Sequence, residues 1–222
     1  ILLGAACVAV AANLGADDQQ ISFTGPVGST ATDAVTPAVA FSPDSQRYLV
    51  VWSADETDHD FQILGQLLTG AGGVPLGAPF AISAAGVPDS DHRQPAVAYD
   101  TANDRFLVVW SSDAVDQGAY EIQAQAVNND GSLVGSAVRL SDMGTTDSDT
   151  AFDAVTPDVA WHSDLNAYVV VWAGDDDTGS RGSLSAVTID LTGTPANNEV
   201  WRVTVAGFNS DVTVTGSIDT LA

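Results

Sequence analysis

Three observations predict an all-β fold of tandem four-stranded antiparallel sheets. A segment of the 222-residue chain recurs three times: DAVTPAVAFSPDSQRYLVVWSAD from Asp33, DHRQPAVAYDTANDRFLVVWSSD from Asp91 and DAVTPDVAWHSDLNAYVVVWAGD from Asp153. Pro37, Pro95 and Pro157 lie 58 and 62 residues apart, and Trp52, Trp110 and Trp172 keep the same two spacings. Helix formers are scarce while Val, Thr, Gly, Ser and Asp are abundant, which favours short strands joined by tight turns. Four antiparallel strands repeated at this period is the pattern of a β-propeller blade, so the predicted architecture is propeller-like.

The elements follow in chain order. Residues 1–16 begin with the apolar run ILLGAACVAVAA, too short to span a bilayer and without a basic stretch before it. It reads as the remnant of a signal peptide, with a small-x-small site at Ala9-Val10-Ala11, or as an apolar N-terminal segment. Gly4-Ala5-Ala6-Cys7 partly matches a lipoprotein box, which makes Cys7 a candidate for lipidation; as the only cysteine it cannot form an intrachain disulfide. Gln20-Ile21-Ser22-Phe23 resembles the outermost strand of a unit that has no other strands before it.

The repeats occupy 20–205, with units at about 33–83, 91–141 and 153–204. Strand one is expected at Ala38–Phe41, Ala96–Tyr99 and Asp158–Trp161, entered through the proline, whose missing N–H costs least at a strand start. Strand two, Tyr48–Ser53, Phe106–Ser111 and Tyr168–Ala173, is apolar almost throughout and so buried on both faces. Strand three is expected at Phe61–Leu68, Tyr120–Val127 and Ser183–Asp190, followed by glycine turns. A short strand four is expected at Phe80–Ser83, Val138–Ser141 and Trp201–Thr204. Residues 206–222 look like the start of a degenerate fourth unit. Three blades are fewer than the four of a typical small propeller, so either the chain is cut short at both ends or several chains close the ring through unpaired edge strands.

PAVAYDTANDRFLVVWSSD followed by EIQAQAVNNDGSLVGSAVRLS resembles the repeat of secreted bacterial and archaeal β-propeller-like proteins. That repeat reads Pro-Ala-Val-Ala-aromatic, Tyr-Leu-Val-Val-Trp, Ile-x-Gly-Gln, a glycine turn and Ile-Ser. Unit one matches best, including Ile63-Leu64-Gly65-Gln66, and unit three departs most, with Ala186-Val187 in place of Gly-Gln. The resemblance covers 33–204 and implies an extracellular repeat architecture, not a particular activity.

The formal net charge is −23, with no lysine, six arginines, and glutamate only at Glu56, Glu121 and Glu199. Such a surface repels nucleic acid and anionic membranes, and no transmembrane segment is expected. The aspartates serve either solubility at high salt or calcium binding. Asp33, Asp91 and Asp153 each stand four residues before the repeat proline, and Asp89-Ser90-Asp91 and Asp147-Ser148-Asp149 alternate carboxylates. Asp89, Asp91, Asp147, Asp149 and Asp153 are therefore the candidate Ca²⁺ ligands, since calcium takes about six to eight oxygens at close range. The simpler reading is that each aspartate accepts backbone N–H bonds in its turn, because no complete EF-hand-type loop is present. Asp175-Asp176-Asp177 reads as a solvated loop.

The repeat tryptophans are expected in the core rather than as a sugar-stacking set, and Trp161 and Trp201 as packing residues. His59, His92 and His162 occupy unrelated positions and read as loop residues. No nucleophile elbow, phosphate-binding loop or distinguishable carboxylate pair stands out, which leans against an enzyme. The function these features favour is an extracellular, non-catalytic propeller module for binding or adhesion, with a glycan or protein ligand and calcium as candidate support. The first alternative is a structural subunit of a surface layer or filament that uses strand exchange. The second is a hydrolase acting on polysaccharide.

Overall fold

The computed structural model describes residues 19–22, 33–55, 60–83, 90–114, 118–143 and 150–174, together with the backbone of 183–190 and 202–204. The strands are β1 (Ala34–Ser42), β2 (Arg47–Asp55), β3 (Phe61–Thr69), β4 (Pro75–Ala81), β5 (His92–Asp100), β6 (Arg105–Ser112), β7 (Glu121–Asn128), β8 (Leu133–Arg139), β9 (Ala154–His162), β10 (Ala167–Gly174), β11 (Ser183–Asp190) and β12 (Arg202–Thr204). They form three separate four-stranded sheets, ordered β1-β2-β3-β4, β5-β6-β7-β8 and β9-β10-β11-β12, with every pairing antiparallel. The fold is all-β, in propeller-like blades, as the repeat predicts.

Strand two of unit two, β6, is buried on both faces because a sheet packs on each side of it, whereas β10 of unit three buries one face and leaves Val171 on the other 40% exposed. Leu49 and Val51 point into a core shared with Phe106, Val108 and Trp110 of the next unit. Leu107 and Val109 point into a second core shared with Tyr168, Val170 and Trp172. The inner strands β1, β5 and β9 lie side by side, with β5 between the other two. A third cluster, Val50, Trp52, Ala54 and Leu64, lies on the opposite face of unit one and is joined by Ile21 and Leu68.

Two strand predictions need correction. Strand one begins before the proline, at Ala34, His92 and Ala154. The ladder jumps from Val35 to Ala38, from Arg93 to Ala96 and from Val155 to Asp158. Two residues, Thr36-Pro37, Gln94-Pro95 or Thr156-Pro157, thus stand opposite one tryptophan. Proline suits a bulge because it has no N–H to leave unpaired. This bulge explains why proline and tryptophan travel together in the sequence.

Strand four is longer and starts earlier than predicted, at Pro75 and Leu133, and Ile82-Ser83 and Leu140-Ser141 follow it. Here Gln66 faces 77–79 and Gln125 faces 135–137, and Gly77 and Gly135 adopt φ of 78° and 65°. The glutamines replace the missing ladder bonds. Gln66 Nε2 donates to the carbonyls of Leu67 (2.9 Å) and Leu76 (3.3 Å), and Gln125 Nε2 to those of Ala126 (3.0 Å) and Val134 (2.9 Å). A Cβ on Gly65 would come within 2.7 Å of Ile82 Cδ1, so the glycine of the Gly-Gln pair marks a close approach. The lone strand expected at 20–23 is not formed over 19–22, which have no ladder; Ile21 instead seats on the Trp52 cluster, and Phe23 lies outside the described residues.

Candidate ligand face

The starts of strands one and three and the ends of strands two and four share one end of each sheet. Four-residue turns at 43–46, 101–104 and 163–166 join strands one and two at the other end. Of the candidate calcium ligands, Asp91 and Asp153 are described; Asp89, Asp147 and Asp149 lie outside the described residues, as do Asp175, Asp176 and Asp177. Asp91 and Asp153 stand at two different seams with one shared task. Asp91 Oδ1 accepts from the N–H of Phe61 at 3.4 Å, and Asp153 Oδ1 from the N–H of Tyr120 at 3.0 Å. In each case the repeat aspartate of one unit holds the entry to strand three of the unit before it. Asp33 accepts through its backbone carbonyl from Asp55 N–H at 2.9 Å. Neither Asp91 nor Asp153 belongs to a group of three or more His, Cys, Asp or Glu side chains among the described residues.

Around Asp91 stands a cluster that the sequence does not reveal. Arg93 Nη2 donates to Asp91 Oδ2 at 2.7 Å, and the Tyr120 hydroxyl donates to the same oxygen at 3.2 Å. The Arg93 guanidinium lies over the Phe61 ring, 4.4 Å from its centroid, while its side chain stays 43% exposed. Asp113 completes the group by accepting from the N–H groups of Asp91 and Gly118. Burial, with the charges of Asp91 and Asp113 behind it, pushes the Tyr120 hydroxyl up to about 12.

A polar belt runs beside this cluster along the three bulges. Thr36 Oγ1 and Ser53 Oγ are 3.1 Å apart, and Gln94 N–H donates to Ser53 Oγ at 3.2 Å. Gln94 Oε1 then accepts from the Ser111 hydroxyl at 3.3 Å and from Thr156 N–H at 3.0 Å. The belt ties the inner strands of all three units together. Thr36, Gln94 and Thr156 hold φ of 51°, 55° and 51°, a left-handed conformation costly for a β-branched threonine.

The tryptophans and histidines are placed as follows. Trp52, Trp110 and Trp172 are core residues, exposed by 3%, 1% and 5%. Trp161 packs at the seam of units two and three, its Nε1–H donating to Thr101 Oγ1 at 3.0 Å; Trp201 lies outside the described residues. His92 is not a loop residue: it is buried at the start of β5, where Nδ1 accepts from Trp110 Nε1–H at 3.1 Å. The equivalent residues in the other units are Ala34 and Ala154. His162 ends β9, and its Nδ1 accepts from Leu165 N–H at 3.3 Å; His59 lies outside the described residues. Among the described residues no helix is long and apolar enough to cross a membrane.

No family model matches this chain, and no curated protein matches it in sequence. Solved structures do match in shape. An N-acetylgalactosamine deacetylase from F. plautii, solved in complex with blood group B trisaccharide, superposes with a TM-score of 0.50 at 14% identity, over 72% of this chain and 50% of that one. A thermostable family-43 glycoside hydrolase gives 0.49 at 11% identity, over 85% of this chain and 62% of that one. A family 117 glycoside hydrolase from Zobellia galactanivorans gives 0.45 at 10%, over 92% and 75%. The likeness to the deacetylase is one of fold, and this chain spans about half the length of that structure.

Proposed function

We propose that this chain supplies blades of an extracellular β-propeller that binds carbohydrate without cleaving it. The observation that carries the reading is the half-exposed group at the seam of units one and two. There the Arg93 guanidinium lies over the Phe61 ring, 4.4 Å from its centroid, and shares Asp91 Oδ2 with the Tyr120 hydroxyl. A planar cation beside an aromatic hydroxyl and a carboxylate is a group to which a sugar can hydrogen-bond with its hydroxyls. The group is anchored by Asp91 to the start of β3, so it is presented on rigid elements. The calcium part of the reading rests on the alternating carboxylates at Asp89, Asp147 and Asp149 flanking these strand ends.

A second reading, a carbohydrate-acting enzyme, is favoured by the fold likeness to a deacetylase solved with a bound trisaccharide. One screen separates the two. The protein is passed over an array of neutral and acidic glycans with and without EDTA, and bound glycans are then assayed for released sugar or acetate. Binding without release, weakened about tenfold or more in Arg93→Ala, supports the proposal; loss with EDTA assigns a role to calcium. Product release moves the assignment to the enzyme, and neither binding nor release on the panel overturns both.

A further inference from the structure

The chain sets 29 acidic residues against six arginines and no lysine. Four arginine side chains lie among the described residues, Arg47, Arg93, Arg105 and Arg139, and each is already engaged. Arg47 Nη1 donates to the Asn129 carbonyl at 2.6 Å. Arg105 is 3% exposed beside Asp100, with 3.5 Å between Nε and Oδ2. Arg139 Nη2 reaches Glu121 at 2.8 Å and Asp142 at 2.7 Å. Arg93 has its charge met by Asp91 at 2.7 Å. Around Arg93 the balance of charge is negative. Asp113 accepts from the N–H groups of Asp91 and Gly118, and Asp153 from that of Tyr120 at 3.0 Å. Backbone N–H groups carry no net charge, so one guanidinium stands among three carboxylates.

Given the carbohydrate reading above, on which this rests, we infer that the group at Arg93 takes neutral sugars and turns away those that carry a carboxylate or a sulfate. An anionic sugar is held best by a guanidinium whose fork is free for a two-point contact. Arg93 Nη2 is already committed to Asp91, and an anion drawn to it meets the charges of Asp91 and Asp113. A neutral sugar bears no such cost. Its hydroxyl oxygens accept from the part of the guanidinium left open, the side chain being 43% exposed, and its hydroxyl protons go to carboxylate oxygen. The net charge of −23 adds a longer-range repulsion of anions, which salt screens. Arg93 thus serves as a hydrogen-bond donor to the ligand and not as its counter-charge.

The test is a glycan array of matched pairs, each a neutral oligosaccharide printed beside its sialylated or sulfated form. The 222-residue chain is applied at low and at high salt, with calcium and with EDTA. The expected result is that the neutral member of a bound pair holds the protein about threefold or more tighter at low salt. The gap narrows as salt rises, because the acidic member gains while the neutral one stays level. Equal binding at low salt, a tighter acidic member, or acidic binding that weakens as salt rises overturns the inference and leaves the carbohydrate reading standing. Preference for the acidic member that is lost with EDTA overturns it too, since a bridging cation would then supply the missing positive charge. Binding of neither member of any pair overturns this inference and the carbohydrate reading together.

Discussion

At the scale of the residue, a few side chains decide how the repeat is read. Tyr120 joins the Asp91–Arg93 pair through its hydroxyl, and Tyr99 and Tyr168 are likewise raised, chiefly by burial. For a phenol, a folded-state value above the usual one near 10 means that the folded protein prefers the neutral form. The stability this contributes is fully present below about pH 10 and is lost as the pH climbs through the folded value, about 12 for Tyr120. Alkaline unfolding should therefore set in between these values. Tyr120→Phe should shrink the loss and remove one late step from the phenolate absorbance titration; an unchanged titration would contradict the placement of this ring. The histidines show where residue-level reading fails. His92 resembles a loop residue because no other unit has a histidine there, and its partner Trp110 is 18 positions away in sequence. Only the pairing of β5 with β6 brings them together, so spacing along the chain carries no trace of it.

At the scale of the element, the sequence announces strand two most clearly. A run of about four to eight apolar, β-branched and aromatic residues bounded by turn residues points to a buried strand, and β6, between two packed sheets, fits it fully. The proline is harder, because a strand start and a bulge both tolerate its missing N–H. What decides for the bulge is the residue before it, and threonine gives no sign that its backbone turns left-handed. Thr156 offers a clean test, since φ there is 51° while its neighbours in β9 are ordinary. Glycine in a strand interior costs roughly 0.5–1 kcal/mol relative to alanine. Ala160→Gly should show that loss. Thr156→Gly should leave stability unchanged or raise it by up to about 1 kcal/mol, because relief of the strained backbone offsets the added freedom of the unfolded chain. Denaturant unfolding of the two variants reads the difference, and equal losses would contradict the bulge. Strand four was misplaced for a similar reason. Gly77-Ala78-Pro79 looks like a turn, but Gln66 carries the ladder across it with its side-chain amide.

At the scale of the whole molecule, the repeat period gave the number of sheets and their order, because proline and tryptophan kept register while the connections changed length. The seams were less legible. The recurring aspartates invite a cation, yet Asp91 and Asp153 latch one unit to the strand-three entry of the unit before it. Leaving such an N–H unpaired at a seam costs about 1–3 kcal/mol, enough to account for Asp91 and Asp153 through the latch alone. The Arg93 cluster was invisible because arginine occurs once at that repeat position, and only strand pairing within the sheet brings Tyr120 to it and only the stacking of two sheets brings Phe61. All of these roles depend on successive sheets stacking face to face. Nuclear Overhauser spectroscopy on methyl-labelled protein measures that stacking directly. The account predicts cross-peaks from Leu49 and Val51 to Phe106, Val108 and Trp110, and from Leu107 and Val109 to Tyr168, Val170 and Trp172. Cross-peaks confined within each repeat would contradict it.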